Sequence, residues 1–448
     1  MAKVVHVDSG PIGRTLFAFA LPVLLSQMLQ ELYNAADCAV LGHFGESGAL
    51  AASGIAGLLL SVFINFFIGF SSGISAVTAR LFGQYDYVRL RRAMSSVFRL
   101  VLAAGFVFSV TGLIAAEGFL RLLRCPPEVL PIACRYLRIC VCGVPAQLFY
   151  NVGTAVLRSL GNTKAPLRCY AVSCLCNLSL DLLLVIGFRL GVAGAAAATL
   201  FAQWLLAALL LRRLLLLGED CSLRLLGEGL KVRELGAILR VGIPSGLQAL
   251  FMSISSLLIQ RSINSFGPDA MAGMTLYAKV EGLLYLPSFS YGIALTGFVG
   301  QNLGAERLDR VKESVAMSLR TMWATIFPLS LVITGLSPIL LRAFTHDPEI
   351  LFNAHEAILF NLPVYIVYAM NQVWLGAVKG FGKTGFPMLC TLLCYSIFRV
   401  VWCHFLIPVF ATMRVVYLSY DVSFFLMMAL ILTMYRHLVR AQEQRAAS

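Results

Sequence analysis

Five polar residues interrupt the first long apolar run of the chain. Gln27, Gln30, Glu31, Asn34 and Asp37 recur at i, i+3, i+4, i+7 and i+10, which on a helix puts them on one face roughly 120° wide. Gln and Asn alone would serve as a hydrogen-bonded seam between helices. Two carboxylates on the same stripe point instead to the wall of a hydrated cavity, because a charge inside an apolar span is costly without a function there. A second acid occurs in CLCNLSLDLLLV, where Asn177 and Asp181 stand one helical turn apart, and Thr199 follows in the small-residue run GVAGAAAATLFAQ. Counting from the ends of the apolar runs places Asp37, Asp181 and Thr199 at similar depth, roughly 6–12 Å below the outer surface. Two carboxylates, an amide and a hydroxyl converging there suit a small hard cation; two adjacent carboxylates also share a proton readily. Asp37, Asn177, Asp181 and Thr199 are thus the candidate metal ligands if the ion is Na+.

The second half of the chain does not repeat this set. Laid on the first half, it has Ile259 in place of Asp37 and Trp402 in place of Asp181. It offers a neutral stripe, Asn361, Tyr365, Tyr368, Asn371 and Gln372, and a few isolated charges: Glu281, Lys279, Arg399 and Asp421. Glu281 and Arg399 either form a buried ion pair or line a cleft, and Asp421 reads as an interfacial cap. The substrate-cleft candidates are Gln27, Glu31, Gln248, Glu281, Tyr365, Tyr368, Asn371, Gln372 and Arg399. His404 lies deep in a span without an acid one turn away, so no catalytic or metal role is expected of it. No GxxxxGK[ST], HExxH or GxSxG pattern occurs, so nucleotide drive and hydrolysis lack support. The expected protein is no enzyme and needs no cofactor beyond its ion.

The elements that must position these residues follow from composition. Of 448 residues 59% are hydrophobic and 13% charged, with a mean hydropathy of +0.83. Water-soluble domains carry about 25% charged residues, so a soluble enzyme, a secreted disulfide scaffold and a disordered chain are excluded. Twelve apolar runs are long enough to cross a hydrocarbon core of about 30 Å, the first at 15–41 and the last at 416–438. Strand-like alternation is missing, which argues against a barrel, and the first run lacks the flanks of a cleaved leader. The 12 cysteines contain no CxxC, and only Cys125 and Cys134 flank one outer loop. Most of the 35 Lys and Arg fall in alternate loops, including Arg89, Arg91, Arg92, Arg212, Arg213, Arg307 and Arg310. That bias puts both termini in the cytoplasm. The net charge of +13 is therefore topological, and nucleic acid is not an expected partner.

The two halves repeat in one register. Pro22 matches Pro244 and Gly45 matches Gly267 at an offset of 222; Gly83 matches Gly304 at 221, as do Arg158, Gly161, Thr163 and Pro166 with Lys379, Gly382, Thr384 and Pro387. Six helices were duplicated without inversion. The expected fold is an all-α integral membrane protein with 12 transmembrane helices in two pseudo-symmetric six-helix bundles. Residues 1–216 form the N-terminal lobe, 217–236 a polar, amphipathic cytoplasmic linker, 237–440 the C-terminal lobe and 441–448 a cytoplasmic tail.

The run LPVLLSQMLQELYNAADCAVLGHFG, together with ARLFGQ, LRSLGNTKAPL, NLSLD, VGIPSGLQ, GQNLGAERLDR and VKGFGKTGFP, resembles the multidrug and toxic compound extrusion (MATE) family across about residues 10–440. The resemblance implies two six-helix lobes in a V shape and efflux of drugs or organic cations, driven by inward movement of H+ or Na+. It also implies that Asp37, Asn177, Asp181 and Thr199 hold the coupling ion, with Asn34 tuning Asp37. The lack of acids on the seventh and tenth spans implies the DinF-type branch. Leu182 stands where the family often has Pro after the acid. The expected protein is a monomeric antiporter of the plasma (inner) membrane, taking an amphipathic organic cation or drug. One alternative is a lipid-linked saccharide flippase of the same superfamily, which would need basic residues in its cleft. A distant one is a membrane-embedded acyltransferase, which would need a deep His with an acidic partner.

Overall fold

A computed structural model describes residues 5–44, 49–122, 125–218, 221–224 and 232–447. Gly45 of the repeat and part of the linker, 219–220 and 225–231, lie outside the described residues. The described residues fold into helices with no strand among them.

Seven helices come from the first half: α1 (Ile12–Phe44), α2 (Ala49–Gly83), α3 (Tyr87–Leu122), α4 (Leu130–Val141), α5 (Val144–Ser159), α6 (Lys164–Asp181) and α7 (Gly191–Leu215). A π-helical turn, Leu182–Gly187, continues α6. The second half adds α8 (Val232–Asn264), α9 (Pro268–Gly304), α10 (Leu308–Arg342), α11 (Pro348–Asn361), α12 (Tyr365–Gly380), α13 (Gly385–Cys390), α14 (Phe398–Phe410) and α15 (Arg414–Ala447). Here the π-helical turn, Thr391–Ile397, joins α13 to α14.

Ten helices are long and apolar enough to cross a membrane, and the bent pairs α4–α5 and α11–α12 bring the number to 12. The pairs bend by 46° and 56°. Each break precedes or contains a proline, Pro145 or Pro363, whose missing N–H and ring bulk interrupt the helical ladder. Many helices outrun the apolar stretches legible in the sequence. At 1.5 Å per residue, a helix of some 35 residues is about 50 Å long, well beyond the hydrocarbon core. In α3 the surplus carries Arg89, Arg91 and Arg92.

The chain divides into two compact units. Unit 1 comprises Met1–His6 and Leu25–Gly242; unit 2 comprises Val7–Leu24 and Ile243–Ser448. The division follows the halves except that each unit takes the opening of the other half's first helix. In α1 the change falls two residues after Pro22, and in α8 one residue before Pro244. Side-chain burial agrees: Ile12, Leu16 and Phe19 of α1 pack with Leu295 and Phe298 in the core of unit 2. Ile238 of α8 packs with Leu90 and Phe98 in the core of unit 1.

The repeat extends to backbone conformation. Tyr85 and Glu306 share a positive φ of 56° and 58°, and Gly161 and Gly382 share 86° and 74°. Both pairs are 221 apart and close the turns after α2, α5, α9 and α12. In unit 2, Arg310 is buried and grips the segment leading into α1. It donates to the carbonyls of Val7, Ser9 and Gly10 at 3.1, 3.2 and 3.0 Å and to Asn302 Oδ1 at 3.1 Å. Arg89, its counterpart in the repeat, lies 3.9 Å from Glu234 of α8 in unit 1. All 12 cysteines are free thiols, with Cys125 and Cys134 buried.

Candidate ion site in unit 1

Three helices of unit 1 bring the sequence-selected oxygens together. Asp37 lies near the end of α1, Asn177 and Asp181 in the last turn of α6, and Thr199 in the third turn of α7. Small residues make the approach possible. Gly194, Ala195, Ala196 and Ala198 of α7 are buried, and a Cβ on Gly194 would stand 3.1 Å from the Leu184 carbonyl oxygen. Ser173 of α6 donates to the Ala202 carbonyl of α7 at 2.7 Å, pinning the two helices one turn away.

Within this frame Thr199 Oγ1 donates to Asp37 Oδ2 at 3.4 Å. With its amide nitrogen turned toward the acids, Asn177 donates to Asp37 Oδ1 at 3.0 Å and to Asp181 Oδ2 at 3.1 Å. Asn177 and Asp181 are fully buried, with exposures of 1% and 0%. The two carboxyl groups also lie within hydrogen-bonding reach of each other. Such a pair in an apolar surround is stable only with a proton or a cation between its members. Asp181 Oδ1 has no hydrogen-bond partner, leaving a buried acceptor for either. Among the described residues no three His, Cys, Asp or Glu group together. The donor set, two carboxylates with an amide and a hydroxyl, therefore fits H+ or Na+ rather than a transition metal.

One turn further along each element the surroundings become apolar. Val40 and Leu41 of α1, Val185 of the π turn and Val192 and Ala195 of α7 form a buried cluster. It separates the polar set from the helix ends and preserves a low dielectric around it. The π turn itself begins at Leu182, directly after Asp181. Phe188 N–H bonds to the Leu183 carbonyl at 2.9 Å and Leu190 N–H to that of Leu184 at 3.0 Å, wider spacings than an α-helix makes. The helix is thus opened with Leu182, not a proline, at its first residue; π segments of this kind recur at functional sites.

Tyr33 is a member the sequence reading missed. Its hydroxyl sits against Thr199 and beside Asp37, and Tyr136 of α4 lies near Asp37 as well. Tyr33 stands four residues before Asp37, so the spacing that selected the stripe already placed it on that face. Asn34 is exposed on unit 1 and outside this network, as is Glu31, while Gln27 is half-buried.

In unit 2 the candidate residues gather around α9, α12, α14 and α15. Tyr365, Tyr368 and Asn371 are buried, with Glu281 and Gln372 half-buried. Asn371 donates to the Phe424 carbonyl at 2.9 Å and to Tyr395 Oη at 3.3 Å. Gln248 donates to Thr391 Oγ1 at 2.9 Å, joining α8 to the second π turn. Of the two readings open for Glu281 and Arg399, the ion pair does not form: among the described residues no carboxylate lies within 4.0 Å of that guanidinium. Arg399 instead donates its Nε–H to Ser423 Oγ at 2.8 Å. Its charge rests on aromatic faces, 4.1 Å from the Tyr420 centroid, 4.7 Å from that of Tyr395 and 5.4 Å from that of Phe424. The expectation of an interfacial cap at Asp421 is likewise corrected. It sits seven residues into α15, 8% exposed. His404 is exposed on the surface of unit 2.

Comparison with known proteins bears on the family and the fold. The MatE family matches residues 22–183 and again 244–405. The chain is 27% identical over 399 residues to the probable multidrug resistance protein YoeA of Bacillus subtilis (strain 168), covering 85% of this chain and 84% of that one. It is 28% identical over 401 residues to the probable multidrug resistance protein NorM of Thermotoga maritima, covering 85% and 83%. An FAD transporter of Shewanella oneidensis is 27% identical over 348 residues, covering 77% and 76%. Among solved structures, a MATE in the bent conformation superposes with a TM-score of 0.91 at 20% identity, covering 98% of both chains. An outward-facing multidrug resistance MATE transporter of the MOP superfamily gives 0.89, also at 20% and 98%. Matched in both of its halves and alike in fold throughout, this multi-pass membrane protein belongs to the MatE family.

Proposed function

We propose that the chain is a secondary antiporter that exports amphipathic organic cations or drugs in exchange for H+ or Na+. The observation that carries this reading is the Asp37–Asn177–Asp181 bridge, half-buried at Asp37 and fully buried at the other two, closed by Thr199. A carboxyl pair that needs a proton or cation to stay buried is an ion-responsive element. When the ion leaves, mutual repulsion of the carboxylates favours hydration or separation of α1 from α6. Asp37 sits about 18 Å along α1 from Leu25, where the chain enters unit 1. Pro22, close to that crossing, removes one helical hydrogen bond and makes bending there inexpensive. Ion occupancy at one end of α1 is thereby linked to its conformation at the other. The multidrug names of the relatives support drug export as the substrate class.

On this reading the two halves, 1–216 and 237–440, act as transport lobes with the linker at the cytoplasmic face. The protein works as a monomer in the plasma membrane, with both termini in the cytoplasm. The lack of an acid between Glu234 and Asp269 favours the DinF-type branch. The test is ethidium efflux from proteoliposomes under an imposed pH or Na+ gradient. Asp37→Asn should abolish gradient-driven efflux while leaving the yield of folded protein normal. Retained efflux would refute the assignment, and the effective gradient identifies the ion.

A further inference from the structure

We propose that Lys279 of α9, with the aromatic pair Tyr285 and Phe289 of the same helix, forms a recognition site for aromatic substrates that carry an oxyanion, a carboxylate or a phosphate. The proposal rests on the export reading and narrows its substrate class.

Depth and exposure are the first argument. Between Ala270 and Val299 the charged residues of α9 are Lys279 and Glu281 alone. Lys279 stands about 14 Å from the Ala270 end of that apolar stretch, farther than a four-carbon stem reaches back. It is nevertheless exposed. An ammonium at such depth is tolerated where water reaches it, not against lipid tails. Lys279 therefore borders a hydrated cavity.

The missing counter-charge is the second. Among the described residues the Lys279 ammonium makes no ion pair and no hydrogen bond. Glu281 is no partner for it, being about 200° round the helix and half-buried, on the side where Tyr277 and Leu284 enter the core. Asp421 of α15 is buried as well. A substrate oxyanion supplies the charge that the protein withholds, whereas a cationic group placed there is repelled.

Ring surface is the third. Tyr285 and Phe289 stack with centroids 5.5 Å apart and planes 12° apart, and Tyr368 of α12 supports Tyr285 at 6.0 Å. Tyr368 is buried, but Tyr285 and Phe289 are half-buried, so the stack keeps exposed area for another ring. Gly282 lies between Lys279 and this stack on the helix surface, and a Cβ there would meet nothing within 4 Å. Tyr285 is about 9 Å along α9 from Lys279, a span that fits an aromatic compound with its oxyanion at one end.

The test is equilibrium binding, read by fluorescence polarisation on the full-length protein in phosphatidylcholine nanodiscs, with two matched probe pairs. One pair is a rhodamine with a free carboxylate and its methyl ester; the other is flavin mononucleotide and riboflavin, which differ by a phosphate. In at least one pair the oxyanion-bearing member should bind about tenfold more tightly, the worth of one charge-assisted contact. A preference in the rhodamine pair alone assigns a carboxylate, and one in the flavin pair alone a phosphate. Lys279→Gln should erase the preference without weakening the neutralised member, and Lys279→Arg should keep it. Equal affinities within both pairs overturn the proposal, as does a Lys279→Gln variant that weakens both members alike. So does a preference that vanishes when anionic phosphatidylglycerol is added to the nanodisc, because the site then holds a lipid phosphate. Binding is read without a gradient, so failure of the antiporter reading appears separately, as efflux surviving Asp37→Asn.

Discussion

A close helix crossing in unit 2 sets up a test in which one methyl group is expected to have opposite effects at two sites. At the α9–α12 crossing, Gly292 and Gly376 face each other backbone to backbone. A Cβ added at Gly376 would stand 2.4 Å from the Gly292 carbonyl oxygen and 3.1 Å from its Cα and C atoms. Ordinary carbon–oxygen contact needs about 3.2–3.4 Å, so the helices must separate by nearly 1 Å, a shift that overpacking studies associate with about 1–3 kcal/mol. That shift also pulls Thr296 Oγ1 away from the Gly376 carbonyl, now 3.1 Å distant, adding about 1 kcal/mol. Gly335 in α10 is the control, because a Cβ there meets nothing within 4 Å. Alanine at Gly335 should stabilise the helix by about 0.5–1 kcal/mol through the unfolded-state entropy that glycine carries. The two variants should therefore differ by about 2.5–5 kcal/mol, Gly376→Ala being the less stable. Thermal unfolding in detergent, followed by the reactivity of the free buried cysteines with a thiol dye, reads the difference. If Gly376→Ala melts at or above Gly335→Ala, the crossing is not the tight contact described and the placement of Tyr368 and Asn371 loses its basis.

Other outcomes follow from the hydrogen bonds. Asn177→Leu removes two donors at 3.0 and 3.1 Å, whereas Thr199→Val removes one at 3.4 Å. Ethidium efflux should therefore fall by at least tenfold more in the former, since bonds to charged acceptors are worth about 1.5–3 kcal/mol each; equal losses would contradict the geometry. Tyr33→Phe should weaken the site without abolishing efflux, with the change read as a raised concentration of coupling ion for half-maximal rate. Arg310→Gln releases the carbonyls of Val7, Ser9 and Gly10. Hydrogen exchange at Val7, whose amide donates to Gln301 Oε1 at 3.1 Å, should accelerate by one to two orders of magnitude; unchanged exchange would show the segment to be held by other means.

The membrane environment, the helix count and the duplicated halves were legible from residue order because each depends on local or periodic quantities. Apolar run length identifies a span whatever it packs against, and two blocks 221 residues apart reveal a repeat before either is folded. The acids of the unit 1 site were legible for a related reason. A carboxylate in an apolar run is anomalous by itself, and residue counting from the ends of a span gives its depth. Which helices meet is a different matter. That Asp37, Asn177, Asp181 and Thr199 touch rather than merely share a depth required α7 to approach α6 through Gly194 and the alanines around it.

Tertiary structure decided what sequence spacing left open. The partner of Arg399 is one case. Opposite charges suggested an ion pair with Glu281, but aromatic faces from the π turn and α15 hold the guanidinium, and no local pattern encodes that preference. Asp421 is another, since position near a span's end says nothing about how deeply a side chain is buried. The opening after Asp181 is a third: Leu182 follows the acid, and a π turn opens the helix through backbone spacing that side-chain identity does not specify. The exchange of helix openings between the units is also tertiary, because Ile12, Leu16 and Phe19 are apolar enough to bury in either core. Sequence determined which residues carry the chemistry and in what solvent; packing determined their partners, since a partner is chosen by every element that reaches the same point in space.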